Sequence, residues 1–340
     1  MKNETTVLIL ALLITAAVVG GGAWWFINNQ SGFKSNQNNQ QATSTSSGDS
    51  FAEVENVPSG LFSYGGSTTW APIRKDVDPS IQTVWPKFQL RYTDPPSGAP
   101  GSGSGIKMLL NNQLAFSQSS RSLKDEEYQQ AQRRGFTLKE IPVAIDAIAI
   151  ATHPALKVSG ITIAQLKDIY TGKLTNWSKI GGPNSPIIPF SRRLEEGGTI
   201  EFFVENVLDG EKFGANVKFI SRTTEALRQV AATPGGIYYA SAPEVVGQCT
   251  VKPIPLGKTS NKLIPPYQEP FVPLSQCPAQ RNQVNKAAVQ SGEYPITRRL
   301  LVIVKQNNQI DEQAGEAYAK LLLTNQGQSA IDKAGFVSIR

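Results

Sequence analysis

Short apolar runs alternate with amphipathic segments along the chain from residue 61 to the C-terminus. The runs with strand-like length and composition are residues 61–64, 88–92, 115–117, 145–151, 187–190, 236–240 and 300–305. Three other segments have apolar residues at helical spacing, namely residues 162–172, 223–230 and 313–323. Strands that alternate with helices predict an α/β fold.

Residues 162–172 carry the clearest helix signal. Thr162 and Gln165 have the spacing of a capping box, and Gly172 is placed to end the helix. The next helical segment stops before the breaker sequence that starts at Pro234. The alternating region is long for one sheet of this kind, so the pattern favours two lobes with a ligand cleft between them.

A different pattern occupies the first 58 residues. Residues 7–26 carry no charge and are long enough to span a bilayer core of about 30 Å, with Trp24 and Trp25 suited to the interface. Because no Ala-x-Ala-like exit follows, an uncleaved membrane anchor is favoured over a removed signal peptide. Residues 1–6 are then a cytoplasmic tail, and the polar residues 27–58 a disordered linker. This order predicts a membrane-anchored domain on the periplasmic or extracellular side.

Composition narrows the possible partners. Lys and Arg number 33 against 27 for Asp and Glu, which gives a formal net charge of +6. These charges are scattered, and the absence of a basic helix or stacking platform argues against nucleic-acid binding. Behind an export segment, Cys249 and Cys277 are predicted to form a disulfide, whereas in the cytosol they would be two buried thiols. With one histidine and no Cys-x-x-Cys, neither a metal site nor a cofactor is predicted.

Catalytic chemistry has little support in the sequence. His153 is the only histidine, and a general base also needs a nucleophile and an orienting partner. No Gly-x-Ser-x-Gly elbow, P-loop or carboxylate-rich cluster accompanies it. We therefore expect His153 to lie in a turn or on the surface, and we expect no catalytic residues and no enzyme activity.

Two glycine-containing, hydroxyl-rich turns precede predicted helices, at residues 101–105 and 191–199. The unpaired N–H groups at a helix start and the helix dipole favour a bound anion. Ser104 is the expected hydroxyl donor in the first turn. Arg193 in the second turn offers a bidentate fork that suits a tetrahedral oxyanion. The pair of turns predicts a cleft that binds an oxyanion.

Residues 143–150 form an apolar run, and residues 166–177 after it contain a Thr-Gly-x-x-x-x-Trp turn. In these segments, which are the most specific, and over most of the chain from about residue 63 onward, the sequence resembles the phosphate-binding proteins of ABC transporters. Arg193 with residues 197–199 is similar to the family's Arg-x-x-x-Ser-Gly-Thr phosphate turn. Other segments that resemble the family are residues 66–73, 101–107, 115–123, 294–300 and 326–336.

This resemblance implies a two-lobed periplasmic-binding-protein type II fold with two crossover strands. Lobe one is expected to comprise residues 59–144 and 294–340, and lobe two residues 145–293. The resemblance also implies capture of inorganic phosphate, or a similar oxyanion, for delivery to an ABC permease. The implied ligand-binding residues are Thr69, Trp70, Ser104, Ser120, Arg121, Arg193, Gly198 and Thr199. Among them, Arg193 is expected to contribute the most affinity.

Two positions depart from the family pattern. Ser120 stands where many relatives have an aspartate, whose carboxylate accepts the proton of monohydrogen phosphate. Gly197 stands where a serine hydroxyl is usual. These departures leave two alternatives open: an oxyanion other than phosphate, or a membrane-anchored sensor or interaction module that kept the fold without tight phosphate binding.

Overall fold

The structure is a computed structural model that describes residues 48–194 and 197–339. Its strands are β1 (Gly60–Gly66), β2 (Phe88–Tyr92), β3 (Phe116–Ser119), β4 (Thr137–Thr152), β5 (Ile161–Thr162), β6 (Ile188–Ser191), β7 (Lys218–Phe219), β8 (Gly236–Ser241), β9 (Lys252–Ile254), β10 (Leu256–Thr259), β11 (Lys262–Ile264) and β12 (Thr297–Gln306).

Its α-helices are α1 (Ala71–Val84), α2 (Ser102–Leu110), α3 (Asp125–Arg133), α4 (Ile163–Thr171), α5 (Gly198–Asn206), α6 (Thr223–Ala232), α7 (Ala242–Val245), α8 (Lys286–Gln290), α9 (Ile310–Leu322) and α10 (Asn325–Lys333). Short 3-10 helices are formed by Phe51–Glu53, Thr68–Trp70, Trp177–Ile180 and Leu274–Gln276. The α/β fold predicted from the alternating pattern is confirmed.

The main sheet has the strand order β2-β1-β3-β12-β4-β8-β6-β7, and β9 also pairs with β4. Strand β1 runs parallel to both β2 and β3, whereas β12 is antiparallel to β3 and β4. The long strand β4 pairs with β12 over its first part and with β8 and β9 near its end. Strands β4 and β12 therefore connect the two halves of the sheet, and a small sheet β11-β10-β5 lies apart.

The apolar side chains form separate cores in the two halves. One core includes Tyr64, Trp70 and Phe116 and belongs to what we call lobe one, built from β1–β3, α1–α3, α9 and α10. The other includes Tyr170 and Trp177 and belongs to lobe two, built from β5–β11 and α4–α8. Because each lobe has its own core, the lobes can move relative to each other without either core being disrupted.

Helix α4 begins and ends as the sequence predicts. The Gln165 backbone N–H donates to Thr162 Oγ1 at 3.1 Å, and the Thr162 N–H donates to Gln165 Oε1 at 2.8 Å. Gly172 ends the helix with a φ of 83°, in the left-handed region that glycine adopts readily. The capping box and the helix stop are therefore both confirmed.

Residues just before residue 59, which the sequence pattern assigns to the linker, pack on lobe one. Phe51 is buried, its N–H donates to Gln326 Oε1 at 2.9 Å, and its carbonyl accepts from Trp85 Nε1 at 2.8 Å. The predicted anchor, residues 7–26, lies outside the described residues. In the described ranges, we find no helix of the length and apolarity needed to cross a membrane.

The predicted disulfide is confirmed. Cys249 and Cys277 are bonded, with their Cα atoms 5.6 Å apart. Strands β10 and β11 lie within the loop that the bond closes. A cross-link of this kind stabilises a fold mainly by restricting the unfolded chain.

Asp78 on α1 is a buried carboxylate in the core of lobe one. It accepts hydrogen bonds from the hydroxyls of Tyr64 and Tyr318, the latter at 2.9 Å. Burial raises the pKa of Asp78 to about 6, although the two tyrosines and Arg74 oppose the shift. Between about pH 4 and 6 the folded protein therefore keeps a proton that the unfolded chain releases, so stability falls as the pH rises through this window.

We expect Asp78→Asn to remove this pH dependence. From pH 4 to pH 7, the unfolding free energy of the wild type should fall by about 2 kcal/mol relative to that of the variant. Denaturant unfolding at both pH values measures the difference, and Asp76→Asn on the exposed face of the same helix is the control. If the difference in unfolding free energy between the wild type and the variant did not change with pH, Asp78 would not be the titrating group.

Candidate functional site

The structure brings together the two glycine-containing turns that the sequence pattern singles out. Gly101 precedes α2 in lobe one, and Gly197 precedes α5 in lobe two. A Cβ atom on Gly101 would lie 2.9 Å from the Gly197 Cα, so the two backbones are in close contact. A Cβ atom on Gly198 would lie 2.8 Å from the Ser102 Cβ, so Gly198 is also in close contact with lobe one. Two helix starts, one from each lobe, therefore meet in the cleft.

Three buried serines of lobe one form a chain of hydroxyls beside these turns. Ser67 donates to Ser120 Oγ at 3.0 Å, and the Ser120 and Ser102 hydroxyls lie 3.3 Å apart. Ser102 Oγ also accepts from the Ser120 backbone N–H at 3.1 Å. Ser67 caps the 3-10 helix Thr68–Trp70 by accepting from the Thr69 N–H at 3.3 Å. A third helix start thus adjoins the same hydroxyls.

Arg298 on the crossover strand β12 occupies the centre of the cleft. Its side chain is 1% exposed, and its Nη2 lies 3.1 Å from Thr69 Oγ1 and 3.0 Å from Thr199 Oγ1. Those two hydroxyls, from opposite lobes, are 3.3 Å apart. Arg298 Nη1 is buried and has no hydrogen-bond partner among the described residues. A buried donor of this kind is costly to leave unsatisfied, so it is suited to an anionic acceptor.

Asp146 fixes the orientation of this guanidinium. It faces Arg298 across the β4–β12 pairing, and its Oδ2 accepts from Arg298 Nε at 2.9 Å and Nη2 at 2.8 Å. Its other oxygen accepts from Ser241 Oγ at 2.5 Å. Burial raises the pKa of Asp146, an effect that Arg298 opposes. The nearby Glu244 has its pKa raised to about 7, by burial first and then by the charge of Asp146.

Four of the eight sequence-predicted ligand residues lie in this cleft. Thr69 and Thr199 are within hydrogen-bond distance of Arg298, and Ser120 is the middle member of the serine chain. Gly198 forms the first turn of α5, where the absence of a side chain allows the contact with Ser102. The cluster thus combines hydroxyls from both lobes around one arginine.

Trp70 and Ser104 have structural contacts instead. The Trp70 indole is fully buried and donates to the Ser119 carbonyl at 3.1 Å, so it packs in the core of lobe one. Ser104 donates its hydroxyl to the Gly101 carbonyl at 3.0 Å, within the first turn of α2. Ser102, two residues earlier, is the hydroxyl of this turn that faces the cleft.

The predicted arginines also lie away from the position expected for them. The Arg121 guanidinium pairs with Glu127 and Glu201, each at 2.8 Å. Arg193 is exposed, and its guanidinium lies 5.2 Å from the centre of the Phe219 ring. Its half-buried neighbour Arg192 lies closer to the turn, with Nη1 3.5 Å from the position of a Cβ atom on Gly197. The arginine at the centre of the cleft is Arg298.

His153 lies in a turn, as expected, where its Nδ1 accepts from the Ala155 N–H at 3.3 Å. No group of three or more His, Cys, Asp or Glu side chains in the described part of the chain is arranged to hold a metal ion. The described part of the cleft offers hydroxyl, backbone N–H and guanidinium donors for an anion.

A family model for a PBP superfamily domain matches residues 38–326, which is most of the sequence. The chain belongs to the PBP superfamily. Its two separate cores and its two connecting strands agree with the two-lobed fold of periplasmic binding proteins. The resemblance to phosphate-binding proteins of ABC transporters is likewise confirmed.

Similar curated proteins are named phosphate-binding proteins. The chain is 27% identical over 279 residues to the phosphate-binding protein PstS of Staphylococcus epidermidis, covering 80% of this chain and 77% of that protein. It is 26% identical over 285 residues to the phosphate-binding protein PstS of Borreliella burgdorferi, covering 82% of this chain and 90% of that protein.

Solved structures show the same fold. A substrate-binding protein of Clostridium perfringens, assigned to a phosphate ABC transporter and crystallised with bound phosphate, superposes with a TM-score of 0.66. It is 25% identical to this chain, and the match covers 83% of this chain and 100% of that protein. An ABC-type phosphate transport receptor of Vibrio cholerae, 21% identical, superposes with a TM-score of 0.62 over 81% of this chain and 99% of its own.

Proposed function

We propose that this protein is an extracytoplasmic solute-binding protein that captures inorganic phosphate between its lobes for ABC-type import. The observation that carries the proposal is the buried Nη1 of Arg298, a charged donor without a hydrogen-bond partner among the described residues. A phosphate oxygen at this nitrogen would form a charge-assisted hydrogen bond, the strong kind in a water-poor cleft.

The surrounding groups suit a tetrahedral anion. Hydroxyls from lobe one, such as Thr69 and Ser120, and from lobe two, such as Thr199, can each donate to one oxygen. The start of α5 at Gly198 adds backbone N–H groups and the positive end of a helix dipole. Because the donors come from both lobes, binding of the anion favours the closed arrangement of the cleft.

The names of the relatives support phosphate as the ligand and a membrane permease as the partner. The curated relatives are named phosphate-binding proteins, and the Clostridium perfringens structure contains phosphate. In our proposal the ligand residues are Thr69, Ser120, Gly198, Thr199 and Arg298. Arg298 thereby takes the central role that the sequence pattern assigned to Arg193.

Isothermal titration of the purified protein with phosphate, and separately with sulfate, tests the proposal. We expect one phosphate per chain, bound more tightly than sulfate. Equal affinity for both anions would keep the oxyanion site but remove phosphate as its specific ligand. If neither anion produced heat, the protein would instead be a sensor or interaction module with the same fold.

We also propose that residues 7–26 anchor the protein in the membrane, with the folded domain on the outer side. The uncharged composition of this segment and the polar residues after it support the anchor. Cell fractionation should find the full-length chain in the membrane pool. A soluble protein whose mature sequence starts after Gly22 would show a cleaved signal peptide instead.

A further inference from the structure

We infer that Arg121 and Glu201 form an interlobe ion pair that positions the start of α5 and slows release of the bound anion. Arg121 belongs to lobe one and directly follows Ser120. Glu201 lies in the first turn of α5, two residues after Thr199. This inference rests on the proposed function, because it concerns the same cleft, and it assigns to Arg121 a positioning role rather than contact with the anion.

Arg121 is held rigidly from its own lobe. Its side chain is 4% exposed, and its two terminal nitrogens contact the two Glu127 oxygens at 2.8 and 3.0 Å. Nη1 also donates to the Ser122 carbonyl at 2.8 Å. Because both terminal nitrogens contact Glu127, Nε is the donor that faces the other lobe. It donates to Glu201 Oε2 at 2.8 Å. A guanidinium fixed in this way loses little freedom when it pairs with the other lobe.

Lys124 extends the pairing across the cleft. Its Nζ lies 3.2 Å from Glu201 and 3.0 Å from Glu205, which sit four residues apart and therefore on one face of α5. Lys124 and Glu205 are much more exposed than Arg121 and Glu201, so this second contact contributes less. The Arg121–Glu201 pair is the better shielded of the two.

The charges explain why Arg121 is a poor anion ligand. Two cations, Arg121 and Lys124, face the three carboxylates of Glu127, Glu201 and Glu205. This group has no surplus positive charge to offer an anion. It instead neutralises Glu201, which would otherwise place a negative charge in the same first turn of α5 as Thr199. Removing one member of a shielded ion pair mainly raises dissociation rates.

Glu201→Gln in the full-length protein tests the inference. We expect the variant to widen the separation of two spin labels, one on each lobe, in the absence of any ligand. We also expect phosphate to dissociate about tenfold faster in a stopped-flow experiment. Glu205→Gln should also widen the label separation and speed phosphate dissociation, but by less than Glu201→Gln. The control is Glu316→Gln, which breaks the 2.8 Å Lys139–Glu316 pair between the first part of β4 and α9 of lobe one, and should change neither readout.

Unchanged lobe separation and unchanged dissociation in a folded Glu201→Gln variant would overturn the inference. So would a large loss of affinity in Arg121→Ala without any effect of Glu201→Gln, because Arg121 would then contact the anion directly. The label separation is measured without ligand. It therefore tests the ion pair even if the wild type binds no phosphate, in which case the proposed function fails by itself.

Discussion

Arg298→Gln should weaken phosphate binding at least about a hundredfold, which corresponds to about 2.7 kcal/mol. The substitution removes the charged donor at the centre of the cleft, and it leaves the Asp146 carboxylate buried without its cation. Breaking a buried ion pair from one side costs about 3–5 kcal/mol. Isothermal titration with phosphate measures the loss.

Two further variants separate binding from folding. Arg298→Gln combined with Asp146→Asn removes both charges, so it should recover thermal stability but not phosphate binding. Arg299→Gln changes an exposed arginine on the same strand and should leave the affinity at the wild-type value. If the Arg298→Gln variant folded and bound phosphate normally, this arginine would have no part in anion recognition.

Gly198→Ala should reduce phosphate affinity about tenfold to a hundredfold without unfolding the protein. The new Cβ would lie 2.8 Å from the Ser102 Cβ and even closer to the Ser102 hydroxyl, and Ser102 belongs to the opposite lobe. Overpacking of this kind costs about 1–3 kcal/mol, which converts to that range of affinity. Since the clash lies between the lobes, a small separation of the lobes relieves it without disturbing either core, so the ligand-free protein should keep its melting temperature.

Gly247→Ala is the matched control, because a Cβ there would meet only the Asn282 carbonyl oxygen, at 3.8 Å. Titration calorimetry and thermal unfolding of both variants distinguish closure from folding. Wild-type affinity in Gly198→Ala would mean that the lobes do not approach this closely around the anion. A lowered melting temperature without ligand would instead mean that the substitution disturbs the packing within a lobe.

The sequence predicted the elements whose signals are local. The capping box of α4 and its glycine stop follow from residues only a few positions apart, and the two glycine-containing turns followed from their place before helices. The pair of turns and the family resemblance together predicted that both turns would lie at one cleft. Local hydrogen bonding and backbone conformation therefore explain the successful part of the prediction.

The central arginine was missed because its partners are distant in sequence. Arg298 lies 99 residues from Thr199 and 152 from Asp146, so no local motif joins them. The sequence nevertheless contained a signal. Asp146 interrupts an apolar strand, and Arg298 alternates in step with the buried residues of β12, so both positions face inward. A charge at an inward strand position requires a buried partner, which is the reason to pair the two.

Which of two neighbouring residues faces the cleft also depends on where the helix begins or the strand ends. Ser102 and Ser104 are equally good hydroxyl donors in sequence, but α2 begins at Ser102 and directs Ser104 back to the Gly101 carbonyl. Arg192 and Arg193 differ in the same way at the end of β6, where alternate residues point to opposite faces. One position of phase thus decides which side chain lies at the cleft.

A crystal structure of the protein with bound phosphate would show which side chains bind the anion. We expect one phosphate between the lobes, with an oxygen about 2.7–2.9 Å from Arg298 Nη1 and with Thr69 and Thr199 in contact from opposite sides. Phosphate bound by Arg193 at the exposed face of lobe two, with Arg298 Nη1 making no contact to it, would show that Arg298 is not the anion ligand.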